Sequence, residues 1–160
     1  MSHPSLGLPP LDRTAGFPAA ANAVLAGRTR FAARAFEAAL AVDPTLRDRH
    51  DAVGLRRLQE DAGTLLELVA TAVTTGDSGL ARVWAEQGVP VFRRRRVPMD
   101  DLVTLANAVR SVVDAALPPD AFGVAEAALD GAIEVFGFHR RIAGDARRRN
   151  RLLAFLYKGA

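Results

Sequence analysis

The stretch DSGLARVWAEQGVPVFRRRRVPMDDLVTLANAVRSVVDAAL, residues 77–117, decides how the chain is read. It holds the single Trp, a proline-punctuated bend, four consecutive arginines and a cleanly started helix, and the segments on either side read as helices packed against it. Asp77 or Ser78 caps a first helix that turns Leu80, Val83 and Trp84 inward. Gly88-Val89-Pro90 interrupts it. Pro90 removes a backbone donor and its ring collides with the preceding turn, so a kink or break is predicted there. After Arg93, Arg94, Arg95 and Arg96, Val97-Pro98 opens a second helix, with Asp100 and Asp101 in the first turn, where carboxylates suit the helix dipole. Its buried face is Leu102, Leu105, Val109, Val112, Val113 and Leu117, and the whole core is expected to be organised around Trp84.

Upstream, residues 1–15 carry three prolines and no periodicity, the pattern of a poorly ordered arm. From Pro18, apolar Val24, Leu25, Phe31, Phe36, Ala39 and Leu40 recur at helical spacing as far as Val42, in one helix weakened at Gly27. Asp43-Pro44 ends it and starts a short helix reaching Asp51. Leu55, Leu58, Ala62, Leu65, Leu66, Val69 and Val73 then form the most regular stripe in the chain, closed by Thr74-Thr75-Gly76 and expected to be central to the core.

Downstream, Pro118-Pro119-Asp120 turns the chain into a last helix burying Phe122, Ala125, Leu129, Ile133 and Phe136. It becomes basic from His139 onward. Gly144-Asp145 reads as a hinge, with Asp145 capping a separate terminal helix. The fold class is therefore all-α, a single-domain helical bundle of about six helices. Its parts are a flexible N-terminal arm at 1–15, a helical domain at 16–138 and a basic amphipathic C-terminal helix at 139–160.

At 160 residues one domain with a sizeable core is expected, burying roughly two thirds of the unfolded surface. The absence of cysteine excludes disulfide frameworks, iron-sulfur clusters and thiolate zinc sites, and fits a reducing cytoplasm. No apolar run approaches the roughly 18 to 20 residues that a membrane span requires, and no signal-peptide pattern opens the sequence. The net charge of +3 is unevenly placed: residues 1–136 hold 14 Arg against 17 acids, whereas residues 137–160 hold 6 Arg and 1 Lys against 1 acid.

The order of segments resembles the globin arrangement. It is most similar to the haem-free globin-like sensory domains at the N-termini of RsbR-type stressosome proteins, and the local likeness lies in the Arg-rich segment running into a helix, RRRRVPMDDLVTLANAVRSVV, residues 93–113. The resemblance covers residues 17–138 and implies a globin-like sensory domain. Members of that family usually continue into a STAS domain with the phosphorylatable residues, whereas this sequence runs to Ala160, so any signalling output is expected from a partner. A haem globin would place an axial His in the kinked segment, and residues 77–98 hold none, so no haem and no other cofactor is expected.

Chemistry is thinly signalled. His3, His50 and His139 lack the i+3 or i+4 carboxylate of a helical metal pair, so no metal site is expected. Ser78 and Ser111 lack an activating context, and no glycine pattern cradles a nucleotide, so no catalytic residues are assigned and the chain reads as non-enzymatic. Phe31, Phe36, Leu66, Val69, Trp84 and Phe92 are the candidate lining of a pocket for an apolar ligand. The tail combines Arg140, Arg147, Arg148 and Arg151 with Leu152, Leu153, Phe155, Leu156 and Tyr157, an apolar patch that suits a protein partner or a second copy in a homo-oligomer. An anionic membrane surface is a second candidate for the tail, and nucleic acid a third. The expected function is a sensory or scaffolding protein that binds a partner or itself through the C-terminal helix. The alternative is a small nucleic-acid-binding helical regulator using Arg93, Arg94, Arg95 and Arg96 with the tail.

Overall fold

The structure, a computed structural model, describes residues 16–149, with side chains as far as Arg140, and builds them from helices alone. These are α1 (Pro18–Ala26), α2 (Arg28–Val42), α3 (Leu46–Arg49), α4 (Ala52–Thr75), α5 (Gly79–Arg94), α6 (Met99–Asp114) and α7 (Pro119–Arg149). No strand occurs among the described residues, so the described chain is all-α. The arm at 1–15 lies outside them.

The regular stripe at 52–75 does form the central helix. Asp51 caps α4 by accepting from the Gly54 N–H at 2.7 Å, and Gly76 closes it in the left-handed region at φ 74°, its N–H reaching the Ala72 carbonyl at 2.7 Å. Leu58, Ala62, Leu65, Leu66, Val69 and Val73 are buried, and α4 packs against α1, α2, α5, α6 and α7. The Phe17 N–H donates to the Val73 carbonyl at 2.7 Å, which seats the start of α1 on the end of α4.

Three local expectations are corrected. Gly27 does not merely weaken a helix but divides α1 from α2, giving seven helices among the described residues where about six were expected. Its backbone turns at φ −91°, ψ 2°, and a Cβ there would lie 2.6 Å from the Phe31 ring, so only glycine lets that ring fold over the joint. Pro90 does not break α5, which runs through it to Arg94. Pro90 and Glu86, whose carbonyl loses its partner, both face outward, where water can take the missing bond. Nor does Gly144-Asp145 divide the last helix, since α7 continues to Arg149.

A fourth correction concerns which face of α5 is inside. The buried residues are Ala81, Ala85, Val89 and Phe92, while Leu80 and Val83 are 38 % and 46 % exposed. Small side chains win because they let two helices approach closely: a Cβ on Gly131 of α7 would lie 3.2 Å from the Cβ of Arg82. Larger groups then fill the wider gap further along. Trp84 is half-buried and forms an edge-to-face trio with the buried Phe92 and Phe136, with ring centroids 5.6 Å apart for Trp84–Phe92, 6.1 Å for Trp84–Phe136 and 5.8 Å for Phe92–Phe136. Trp84 is thus the least buried of three mutually contacting rings, and not the centre of the core.

Cross-links between helices fix their directions. Arg82 bonds Glu134 and Arg93 meets His139, so α5 and α7 run the same way. Arg110 bonds Asp130 and Arg140 bonds Asp100, so α6 runs against α7. The C-terminal end of α5, the N-terminal end of α6 and the His139 region of α7 therefore share one end of the bundle. No helix among the described residues is long and apolar enough to cross a membrane.

Candidate functional site

That shared end is the candidate site, and a helix-ending motif builds it. The Arg96 N–H donates to the Arg93 carbonyl and the Val97 N–H to the Phe92 carbonyl, both at 2.9 Å, with Arg96 in the left-handed region at φ 59°. This is the paired bond pattern that terminates helices, usually with glycine where Arg96 stands, and the buried side chains of Phe92 and Val97 complete it. An arginine in that conformation carries a backbone cost of about 1 to 2 kcal/mol.

The turn sends the four arginines in different directions. Arg95 folds back and forks the Asp61 carboxylate at 3.2 and 2.9 Å, its guanidinium 5.5 Å from the Phe92 ring centroid. Burial holds the Asp61 carboxyl above the ordinary range of 3.8, a larger effect than the lowering by Arg95. Arg93 turns to α7, where its Nη2 lies 3.3 Å from His139 Nδ1. Burial first, and the Arg93 charge second, push the His139 imidazole below its usual 6.5. Arg94 and Arg96 are exposed, and no carboxylate among the described residues pairs with Arg93, Arg94 or Arg96. Arg140 bonds Asp100 at 2.8 Å, with both side chains more than half exposed.

Beside this end is a polar node that local sequence patterns do not announce. Asp101, 2 % exposed, accepts from Arg49 Nη2 at 2.7 Å and from His50 Nε2 at 2.6 Å. Arg49 also reaches Asp43 Oδ2 at 2.6 Å, and Thr45 donates its hydroxyl to Asp43 Oδ1 at 2.5 Å. The Thr45 hydroxyl bond and Arg49 hold the half-buried Asp43 carboxyl below its usual 3.8, and hydrogen bonds to Asp43 and Asp101 hold the Arg49 guanidinium above its ordinary range. The node ties the α2–α3–α4 corner to the first turn of α6. An Asp–His pair orients an imidazole, but no nucleophile hydrogen-bonds that ring among the described contacts, so its evident work is to hold the corner.

Of the six candidate pocket residues, Trp84 and Phe92 touch, Leu66 and Val69 are fully buried on α4, and Phe31 and Phe36 lie on α2. Arg30 stacks on the Phe31 ring at 5.2 Å. One open hollow of about 630 Å³ runs between α5 and α7, lined by Arg82, Glu86, Ile133, Glu134, Phe138 and His139, and a second of about 200 Å³ lies between α2 and α4 near Arg28 and Gly63. None of the six lines either hollow. Arg147 and Arg148 belong to the backbone of α7, and Arg151, Leu152, Leu153, Phe155, Leu156 and Tyr157 lie outside the described residues.

The pairing of the arginine run with His139 could have been suspected from sequence only by knowing that α5 and α7 are parallel. The His50–Asp101 pair spans 51 positions, and tests for neighbouring ligands along one helix cannot see it. Among the described residues no three His, Asp or Glu side chains converge as a metal site requires. In comparisons with known proteins, the chain matches no family model and no curated sequence.

Proposed function

We propose that this chain is a globin-like, haem-free sensory or scaffolding module that binds a protein partner of acidic surface through the basic end of its bundle. The observation that supports this reading is the meeting of Arg93 and His139, 46 positions apart, beside Arg94 and Arg96, with no carboxylate among the described residues paired to these three arginines. Arg95, committed to Asp61, fixes the turn that displays the others. From this end α7 continues nine residues past Arg140, on the order of 13 Å of helix at 1.5 Å per residue, and its sequence leads into the Arg-rich, Leu- and Phe-bearing tail. Guanidinium groups at the rim steer an acidic partner and set its orientation, while apolar tail residues supply the buried area from which affinity comes.

A native mass spectrum of protein purified from its own cells tests the reading. A retained partner or a defined oligomer is expected for the wild type and should be absent from a variant carrying Arg93→Glu, Arg94→Glu and Arg96→Glu. A bare monomer from wild-type cells, or an assembly indifferent to the three reversals, sinks it. The same arginines would serve a nucleic-acid regulator, whose affinity for DNA must fall linearly on a log-log salt plot. Anionic vesicles that carry the protein upward in flotation at high salt would point instead to lipid insertion of the tail.

A further inference from the structure

We propose that the outward face of α5 is a self-association surface, on which α5 of a second copy packs antiparallel about a two-fold axis through Gln87. This surface is distinct from the basic tail and shares only Arg94 with the basic end of the bundle, so Val91→Glu is the change that separates the two. Leu80, Val83, Gln87, Val91 and Arg94 fall within about 80° of arc at 100° per residue, and all five are exposed. Leu80, Val83 and Val91 are 38 %, 46 % and 42 % exposed, and half-buried Trp84 borders them. Three of the large exposed aliphatic side chains thus form one stripe, while the small residues of the same helix are inside. The charged pair Arg82 and Glu86 stands off the stripe, with Arg82 also bonded to Glu134.

Charge chooses the occupant and its direction. Asp77 stands two residues before the start of α5 and Arg94 ends it, and neither forms an ion pair among the described residues. Asp77 uses Oδ1 to accept the Gly79 N–H at 2.8 Å, which leaves its second oxygen for a guanidinium. A parallel copy would set Arg94 against Arg94 and Asp77 against Asp77. An antiparallel copy lays Val83 of each chain on Val91 of the other, sets the stem of Arg94 beside the other chain's Leu80 with its guanidinium reaching about 4.5 Å further along to Asp77, and opposes the two helix dipoles. Gln87 then meets its own mate, where two primary amides can exchange hydrogen bonds.

The natural chain has no cysteine, which makes the test clean. Under mild oxidation, the full-length Gln87→Cys variant should form a disulfide-linked dimer. The Leu80→Cys variant should not link to itself, because its two copies would lie roughly 21 Å apart along the helices. In sedimentation of the full chain, Val91→Glu should raise the dimer dissociation constant by about tenfold or more. Arg94→Glu should also weaken the dimer, and adding Asp77→Lys to it should restore association. Circular dichroism melts confirm that each variant is folded. A wild type that stays monomeric at every concentration overturns the proposal. So does a dimer indifferent to Val91→Glu and Arg94→Glu, which is the result association through the tail alone would give.

Discussion

Asp101 is the residue on which most polar geometry converges, and its removal shows what a buried carboxylate holds. Asp101→Ala leaves His50, whose side chain is 6 % exposed, without its acceptor and leaves Arg49 with Asp43 alone, and the expected loss is about 1 to 3 kcal/mol in urea unfolding. Adding His50→Leu should recover part of that loss, since two apolar groups cost less than one stranded polar group. A single variant as stable as the wild type would mean the node is ornamental. His139 makes a prediction in pH. Its folded form favours the neutral ring, so as pH falls below 6.5 the unfolded chain takes up the proton first, and stability declines from there down to the folded midpoint. An NMR titration of the His139 ring should give a midpoint below 6.5 that moves up in Arg93→Gln. A midpoint unmoved by that change would show that the Arg93 charge does not reach the ring.

Helix by helix, glycines separate packing from propensity. Gly123 of α7 has nothing within 4 Å of an added Cβ, so Gly123→Ala should stabilise by about 0.5 to 1 kcal/mol through helix propensity alone. Gly131 faces Arg82 across a close contact of α5 and α7, and Gly131→Leu should destabilise by about 1 to 3 kcal/mol as the helices are pushed apart. Thermal melts check both signs, and equal shifts would refute the close contact. The same pair explains what the sequence concealed. Reading large apolar residues as inward placed Leu80, Val83 and Trp84 in the core, but α5 carries apolar side chains on two faces, and periodicity alone cannot say which face meets a glycine. For α4 there was no such ambiguity, because charged residues occupy its other faces, and its stripe was legible from Leu58 to Val73, with only Leu55 left half-buried at the start. Pro90 misled for a related reason: a proline costs one backbone bond, and on a solvent-facing turn water supplies the substitute.

At the scale of the whole molecule, the all-helical class was legible from alanine content and helical spacing, whereas the gathering of distant basic residues at one end depended on helix directions that no local pattern encodes. The expected absence of haem can be tested at this scale. Residues 77–98 contain no histidine, His50 directs Nε2 to Asp101, and His139 directs Nδ1 to Arg93. Hemin should therefore add no sharp Soret band, and a stoichiometric band abolished by His139→Ala would contradict that. The position of Phe136 also bears on how the chain is born. It is the most deeply buried ring of the aromatic trio yet lies on α7, the last of the described helices to leave the ribosome, and α4, α5 and α6 all rest on that helix. Synthesising the 31 residues of α7 takes roughly 2 to 6 s at about 5 to 20 residues per second. For that interval the nascent chain carries Phe92 and the alanine face of α5 uncovered, so the vulnerable moment for this protein comes during translation, when a holding chaperone has something to bind that the finished molecule conceals.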